Sequence, residues 1–186
     1  MIARLQAIWT ICLLLIAAFW LVFALPRSPV WAVGGLAFAA LLYLAVMALQ
    51  FTLMQRVNAA DPAPRARFPQ VRRAWWAELG VALRVFCWEQ PFRSRAEPDW
   101  LPTAPTGQRG VVLVHGFLCN RALWRLWFAP LRAAGHAYEA VNLEPVFGSI
   151  DDYAPTIEAA VQRVEAATGM APVLICHSMG GLAARA

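Results

Sequence analysis

An α/β domain with a parallel sheet, preceded by a two-helix transmembrane hairpin, is the fold class that three observations predict. Composition is the first: 60% of the 186 residues are hydrophobic, against about 45 to 50% in an ordinary soluble domain. Two long uncharged runs near the start of the chain, Leu5 to Leu25 and Val30 to Met54, are the second. The third lies between Gln108 and Ala186, where short β-branched runs alternate with segments of helical spacing, the signature of right-handed β-α-β crossovers.

Each apolar run is long enough, at about 1.5 Å per residue, to cross a hydrocarbon core of about 30 Å. The first is longer than a signal-peptide core, lacks an AxA site and is followed by a second span, so it reads as a retained helix. Pro26-Arg27-Ser28-Pro29 separates the two runs, and Gly34 and Gly35 offer close approach between them. Residues 1–55 thus form a membrane hairpin. Beyond it stand Arg56, Arg65, Arg67, Arg72 and Arg73 with a single Asp61, while the hairpin loop holds only Arg27. Positive flanks stay inside, which predicts both termini and the C-terminal domain on the cytoplasmic side of a multi-pass protein of the cell's inner membrane.

Residues 56–107 read as a basic juxtamembrane linker around one helix. Asn58 to Pro69 is rich in Pro, Ala and Arg. Val71 to Trp88 then places Trp75, Trp76, Leu79, Leu83 and Phe86 on one face, suited either to the bilayer surface or to covering the following domain. Pro91, Pro98, Pro102, Pro105 and Gly107 make Pro91 to Gly107 a connector. In residues 108–186, Val111 to Val114 is a strand buried on both faces. Arg121 to Ala134 is a helix ended by Gly135, and Tyr138 to Leu143 is a second strand. Asp151 or Asp152 caps a helix that stops at Gly169, Val173 to Cys176 is the third strand, and a helix starts at Gly180.

The net charge of +5 comes from 16 basic residues, all arginine, and they are not interleaved with aromatics as a nucleic-acid module requires. No nucleic-acid partner is predicted. Cys12, Cys87, Cys119 and Cys176 form no CxxC pair, which points to neither a metal site nor a disulfide framework. No cofactor is implied, and the oligomeric state stays open.

Chemistry concentrates in Cys176-His177-Ser178-Met179-Gly180-Gly181, between the third strand and the last helix. A serine on so tight a turn takes strained backbone angles and needs small residues two positions to either side. Cys176 and Gly180 fill those positions, so GxSxG becomes CxSxG, and Gly181 would let the helix pack on the strand. Val114-His115-Gly116-Phe117 follows the first strand. A turn there can aim the Phe117 N–H at a substrate carbonyl, with the Met179 N–H as the second donor of an oxyanion hole. Both motifs fall at strand carboxyl ends, where open α/β sheets place their sites.

VVLVHGFLCN followed by VLICHSMGGLAAR resembles the α/β-hydrolase superfamily, within it the bacterial lipase and esterase branch, over about Gly110 to Ala186. The resemblance implies the N-terminal half of that family's parallel sheet, with Ser178 as acyl-forming nucleophile and Phe117 and Met179 as oxyanion donors. The family's acid and base lie on later strands and match nothing in this chain. His115 reads as structural in the oxyanion loop, His177 as packing or hydrogen bonding beneath the elbow, and His136 as a surface residue. Phe147 and Tyr153 are placed either in an acyl pocket or in the core. The function expected is a membrane-anchored serine ester hydrolase, its partners the lipid bilayer and an ester or acyl substrate, lipids included. This chain is expected to be inactive by itself and a piece of a longer enzyme. Two alternatives stand: an acyltransferase or thioesterase sharing the first half-reaction, and a non-catalytic membrane protein with a hydrolase remnant.

Overall fold

The structure is a computed structural model and describes residues 1–104 and 107–186; Pro105, one of the expected connector breakers, lies outside the described residues. The chain divides into two compact units, residues 9–84 and residues 1–8 together with 85–186. The described part of the linker from 85 to 104 therefore belongs to the sheet unit.

Two helices are long and apolar enough to cross a membrane, α1 (Ile2–Ala24) and α2 (Pro29–Val57). The linker ends one and starts the other. Ser28 is the N-cap of α2, its hydroxyl accepting from the Trp31 N–H at 3.4 Å, and Pro29 occupies the first helical turn, where no N–H is needed. Of the two glycines, only Gly35 makes room: a Cβ there would lie 2.4 Å from the Trp20 ring, whose indole N–H donates to the Ala32 carbonyl at 3.1 Å. Gly34 faces open space.

Helix α3 (Phe68–Arg84) starts within the expected juxtamembrane segment, after an Asx turn in which Asp61 accepts from the Ala63 N–H at 2.7 Å. Leu79 is buried and Trp75 half-buried, and the Tyr43 hydroxyl of α2 donates to the Leu79 carbonyl at 3.3 Å. Trp76, Leu83 and Phe86 are exposed, so the five expected face residues do not share one environment. Trp76 sits one residue, about 100° around the helix, from Trp75, and after Leu83 a π-helical turn at Val85–Glu89, with its extra residue per turn, shifts the helical phase. It delivers Glu89 and Gln90 to the interior of the sheet unit, where both are buried. A short helix α4 (Gln90–Phe92) closes this segment, so Pro91 lies in a helix start rather than in a loop.

The sheet contains β1 (Val111–Val114) and, after helix α5 (Arg125–Ala133), β2 (Tyr138–Ala140). Helix α6 (Ala154–Thr168), β3 (Val173–Cys176) and α7 (Gly180–Ala183) follow. Strand order is β2-β1-β3, all parallel, with Val111 opposite both Tyr138 and Val173. The central β1 explains its unbroken apolar sequence. Val112 and Val114 pack with Ile157, Ala160 and Val164 of α6, whereas Val111 and Leu113 pack with Trp124 and Phe128 on the opposite face. Phe128 stacks on Tyr138 with ring centroids 4.8 Å apart.

The helix expected over 121–134 begins as a 3₁₀ turn, Arg121–Trp124, capped by the Asn120 side chain, which accepts from the Ala122 N–H at 2.9 Å. Gly135 ends the following helix at φ +78°, and Gly169 caps α6 at φ +70°, backbone positions that favour glycine. Neither Asp151 nor Asp152 is the N-cap of α6. They form a preceding 3₁₀ turn, from which Asp152 reaches back to accept from the Ser149 N–H at 3.0 Å, one half of a capping box. Strand β2 is shorter than expected, because the Leu143 N–H donates to the His115 ring instead of to a neighbouring strand. An antiparallel bridge from Trp100 to Tyr138 covers part of the outer side of β2. Val173 and Leu174 of β3 remain exposed.

Candidate active site

The carboxyl ends of β1 and β3 carry the two motifs, and the ladder that pairs Val114 with Cys176 brings them side by side. It continues one residue further, with the His177 N–H donating to the Val114 carbonyl at 2.9 Å. Beyond that bond the chain turns sharply. Ser178 stands there, exposed, at φ +53°, a left-handed conformation costly for any residue with a Cβ. The turn is possible because Gly180 has no side chain: a Cβ on it would meet the His115 carbonyl oxygen at 2.5 Å and the Val114 oxygen at 2.9 Å.

Close helix-strand approach thus rests on Gly180 and not on Gly181, where an added Cβ would find only the Cys176 Cβ at 3.9 Å. Cys176, the residue standing where GxSxG has its first glycine, is accommodated half-buried. Burial pushes its thiol pKa up and Arg185 opposes this more weakly, so the group is a neutral, small filler.

The other wall is Gly116. A Cβ there would lie 2.9 Å from the Ser178 Cβ and 3.0 Å from the His177 oxygen, so the His-Gly turn is pressed against the serine elbow. The Cys119 N–H donates to the Gly116 carbonyl at 3.2 Å, and Leu118, third residue of this turn, has φ +55°. That is the type II turn pattern, which favours glycine at its third position. Phe117 follows Gly116 and Met179 follows Ser178 along the chain. Neither N–H donates a hydrogen bond among the described residues.

His115 is buried and both ring nitrogens are engaged. Nδ1 lies 2.8 Å from the Gly116 carbonyl, so it carries the proton, and Nε2 accepts from the Leu143 N–H at 3.0 Å. Burial lowers its pKa more than the Gly116 bond raises it, leaving a neutral brace between β1 and the segment after β2. His136 lies 2.8 Å from the Arg109 carbonyl, away from the elbow. His177 is exposed, with its ring against Gly116, rather than packed beneath the turn. No histidine hydrogen-bonds Ser178 among the described residues. No group of His, Cys, Asp and Glu suited to a metal ion occurs among them either.

Tyr153 is fully buried, its hydroxyl donating to the Pro145 carbonyl at 2.6 Å, so of the two aromatics considered for an acyl pocket it belongs to the core. Phe147 is 73% exposed and meets Phe117 edge-on, centroids 5.9 Å apart.

Sequence reasoning missed the residues that hold the His-Gly turn from behind. Gln90 is 0% and Asn120 1% exposed. The Asn120 N–H donates to Gln90 Oε1 at 2.8 Å and its side-chain amide to the Gln90 carbonyl at 2.9 Å. Gln6, in the first turns of α1, donates to the Leu118 carbonyl at 2.9 Å and accepts from Asn120 at 2.9 Å. A glutamine inside an otherwise apolar run was the available signal.

Residues 111–186 match the model of the alpha/beta hydrolase family. No curated protein and no solved structure matches the chain. The match and the parallel β2-β1-β3 sheet together make this stretch an α/β-hydrolase-type domain, a fold that suits hydrolase-type activity.

Proposed function

We propose that this protein is a membrane-anchored serine hydrolase of carboxylic esters, of the lipase or esterase type, acting through an acyl-enzyme on Ser178. One observation carries the reading: a serine at positive φ stands exposed against Gly116, and the next N–H after each, those of Met179 and Phe117, has no acceptor among the described residues. In this mechanism Ser178 Oγ bonds to the ester carbonyl carbon while its proton passes to a histidine base. The carbonyl oxygen becomes an oxyanion held by the two N–H groups. Collapse breaks the bond to the alcohol, which leaves with that proton, and water then releases the acid and restores the serine. His115, its ring nitrogens both occupied, is a support and not the base. The base and its carboxylate are assigned to no residue of this chain.

The exposed Phe117 and Phe147 rings beside the elbow suit an apolar acyl group, and the two long apolar helices suit a bilayer that supplies one. The arginine-rich flank after α2 favours a cytoplasmic domain. An acyltransferase or thioesterase differs only in what accepts or leaves the acyl group. That no histidine bonds Ser178 among the described residues favours a second reading, a non-catalytic binding protein.

Fluorophosphonate labelling in membranes separates them. The chain, and the product of its complete coding sequence, are compared with their Ser178→Ala variants. Labelling that disappears in Ser178→Ala is the expected result. Absence of labelling from both forms would leave the non-catalytic reading.

A further inference from the structure

We propose that Gln90 and Gln6 are positioning residues that hold the Phe117 turn in its oxyanion-binding shape, so that the first turns of α1 belong to the catalytic apparatus as well as to an anchor. The inference rests on the reading of the Phe117 N–H as an oxyanion donor.

The argument starts from strain. Leu118 occupies a left-handed conformation at φ +55°, unfavourable for a branched residue, and such residues persist only where their surroundings over-determine them. The turn's own Gly116–Cys119 bond, at 3.2 Å, is long. Clamping therefore comes from outside. Gln6 takes the Leu118 carbonyl, fixing the peptide that follows the strained residue. Gln90 takes the next-but-one N–H, that of Asn120. The two clamps are joined, since Gln6 also donates to Gln90 Oε1 at 3.3 Å and accepts from the Asn120 amide. Each end of the 118–120 segment is thus held by a buried or half-buried glutamine from a distant part of the chain.

An oxyanion donor acts only when it already points at the place where charge develops, because reorienting it during reaction forfeits the benefit. Releasing the clamps lets Leu118 relax toward negative φ, which turns the Phe117–Leu118 peptide and, through the backbone torsions of Phe117, the Gly116–Phe117 peptide that carries the donor N–H. Substrate binding to Phe117 and Phe147 side chains is left in place. The loss should therefore fall on kcat and spare KM.

The test uses the protein from its complete coding sequence in detergent, with a p-nitrophenyl ester as substrate and phosphonate labelling to count competent sites. Gln6→Leu and Gln90→Leu are expected to lower kcat per labelled site by about tenfold or more, less than the ~100- to 1,000-fold for a lost donor, with KM within about twofold. Adding Leu118→Gly, which removes the strain the clamps oppose, should recover most of the loss. A merely structural role would not produce that recovery. Unchanged kcat per site, a KM effect alone, or no recovery with Leu118→Gly would overturn the proposal while wild-type labelling keeps the hydrolase reading. A wild-type protein that neither labels nor hydrolyses the ester overturns both.

Discussion

Ser178 and its neighbours divide the work of one tight turn between strain and missing atoms. Glycine takes φ +53° without a Cβ penalty, so Ser178→Gly should be more stable than Ser178→Ala by about 1 kcal/mol, both lacking the hydroxyl proposed as nucleophile, as melting curves in detergent would report. At Gly180 an added Cβ meets backbone oxygen at 2.5 Å, and backbone cannot swing aside. Gly180→Ala should therefore cost about 3 kcal/mol. Gly181→Ala, with ordinary clearance at 3.9 Å, should be neutral or gain up to about 1 kcal/mol from helix propensity. The opposite outcome would mean that the helix approaches the strand differently. His115 adds a pH dependence with a definite sign. Its pKa is lowered from 6.5 by burial, so below that pH the unfolded chain binds a proton the folded chain resists. Stability falls as the pH drops from 6.5 toward the folded value, and His115 contributes no slope above it. His115→Gln removes this dependence, so the stability gap between wild type and variant should narrow from about pH 8 to pH 5. The serine turn was legible because its chemistry is local: small residues at fixed offsets. Leu118 was not, since nothing in HGFLCN announces positive φ at a leucine whose carbonyl is held by a glutamine 112 positions away and whose neighbour Asn120 is held by one 30 positions away.

Strands and helices follow the same division. Val111–Val114 and Val173–Cys176 were readable to the residue as short apolar runs, although burial on both faces explains only the first. The end of β2 was hidden, as it depends on a histidine from another strand taking the Leu143 N–H. The packing of residues 93–104 was not legible for a related reason: prolines mark broken helix but say nothing about packing. Arg121 shows what binds this segment. Its buried guanidinium pairs with Asp99 at 2.6 Å and donates to the Glu97, Ser94 and Ala140 carbonyls, while Asp99 also accepts from the Ala140 N–H at 2.8 Å. Arg121→Met should cost about 2 to 3 kcal/mol, the lower range for a broken pair because Asp99 is partly solvated. It should also open the 93–104 segment to limited proteolysis. Resistance equal to wild type would show that the Trp100–Tyr138 bridge suffices. The neighbouring Arg125–Glu89 pair, 2.8 Å, ties the π-helical turn to the same helix.

Over the whole molecule, the long apolar helices and the sheet unit make separate demands on their surroundings. The arginine asymmetry predicts that a reporter fused after Pro69 reports from the cytoplasm; labelling of that position from the opposite side would reverse the proposed topology. Composition revealed the apolar helices plainly, as two long runs without a charged residue. It could not reveal that residues 1–8 pack with the sheet unit, a matter of two polar side chains. Strand β3 brings a practical consequence. It pairs only with β1 among the described residues, and Val173 and Leu174 lie open to solvent, offering a row of unspent amide and carbonyl groups beside greasy side chains. Purified as this chain, the protein should clump with rising concentration even where detergent shields its long helices, and a charged residue in place of Leu174 should keep it dispersed.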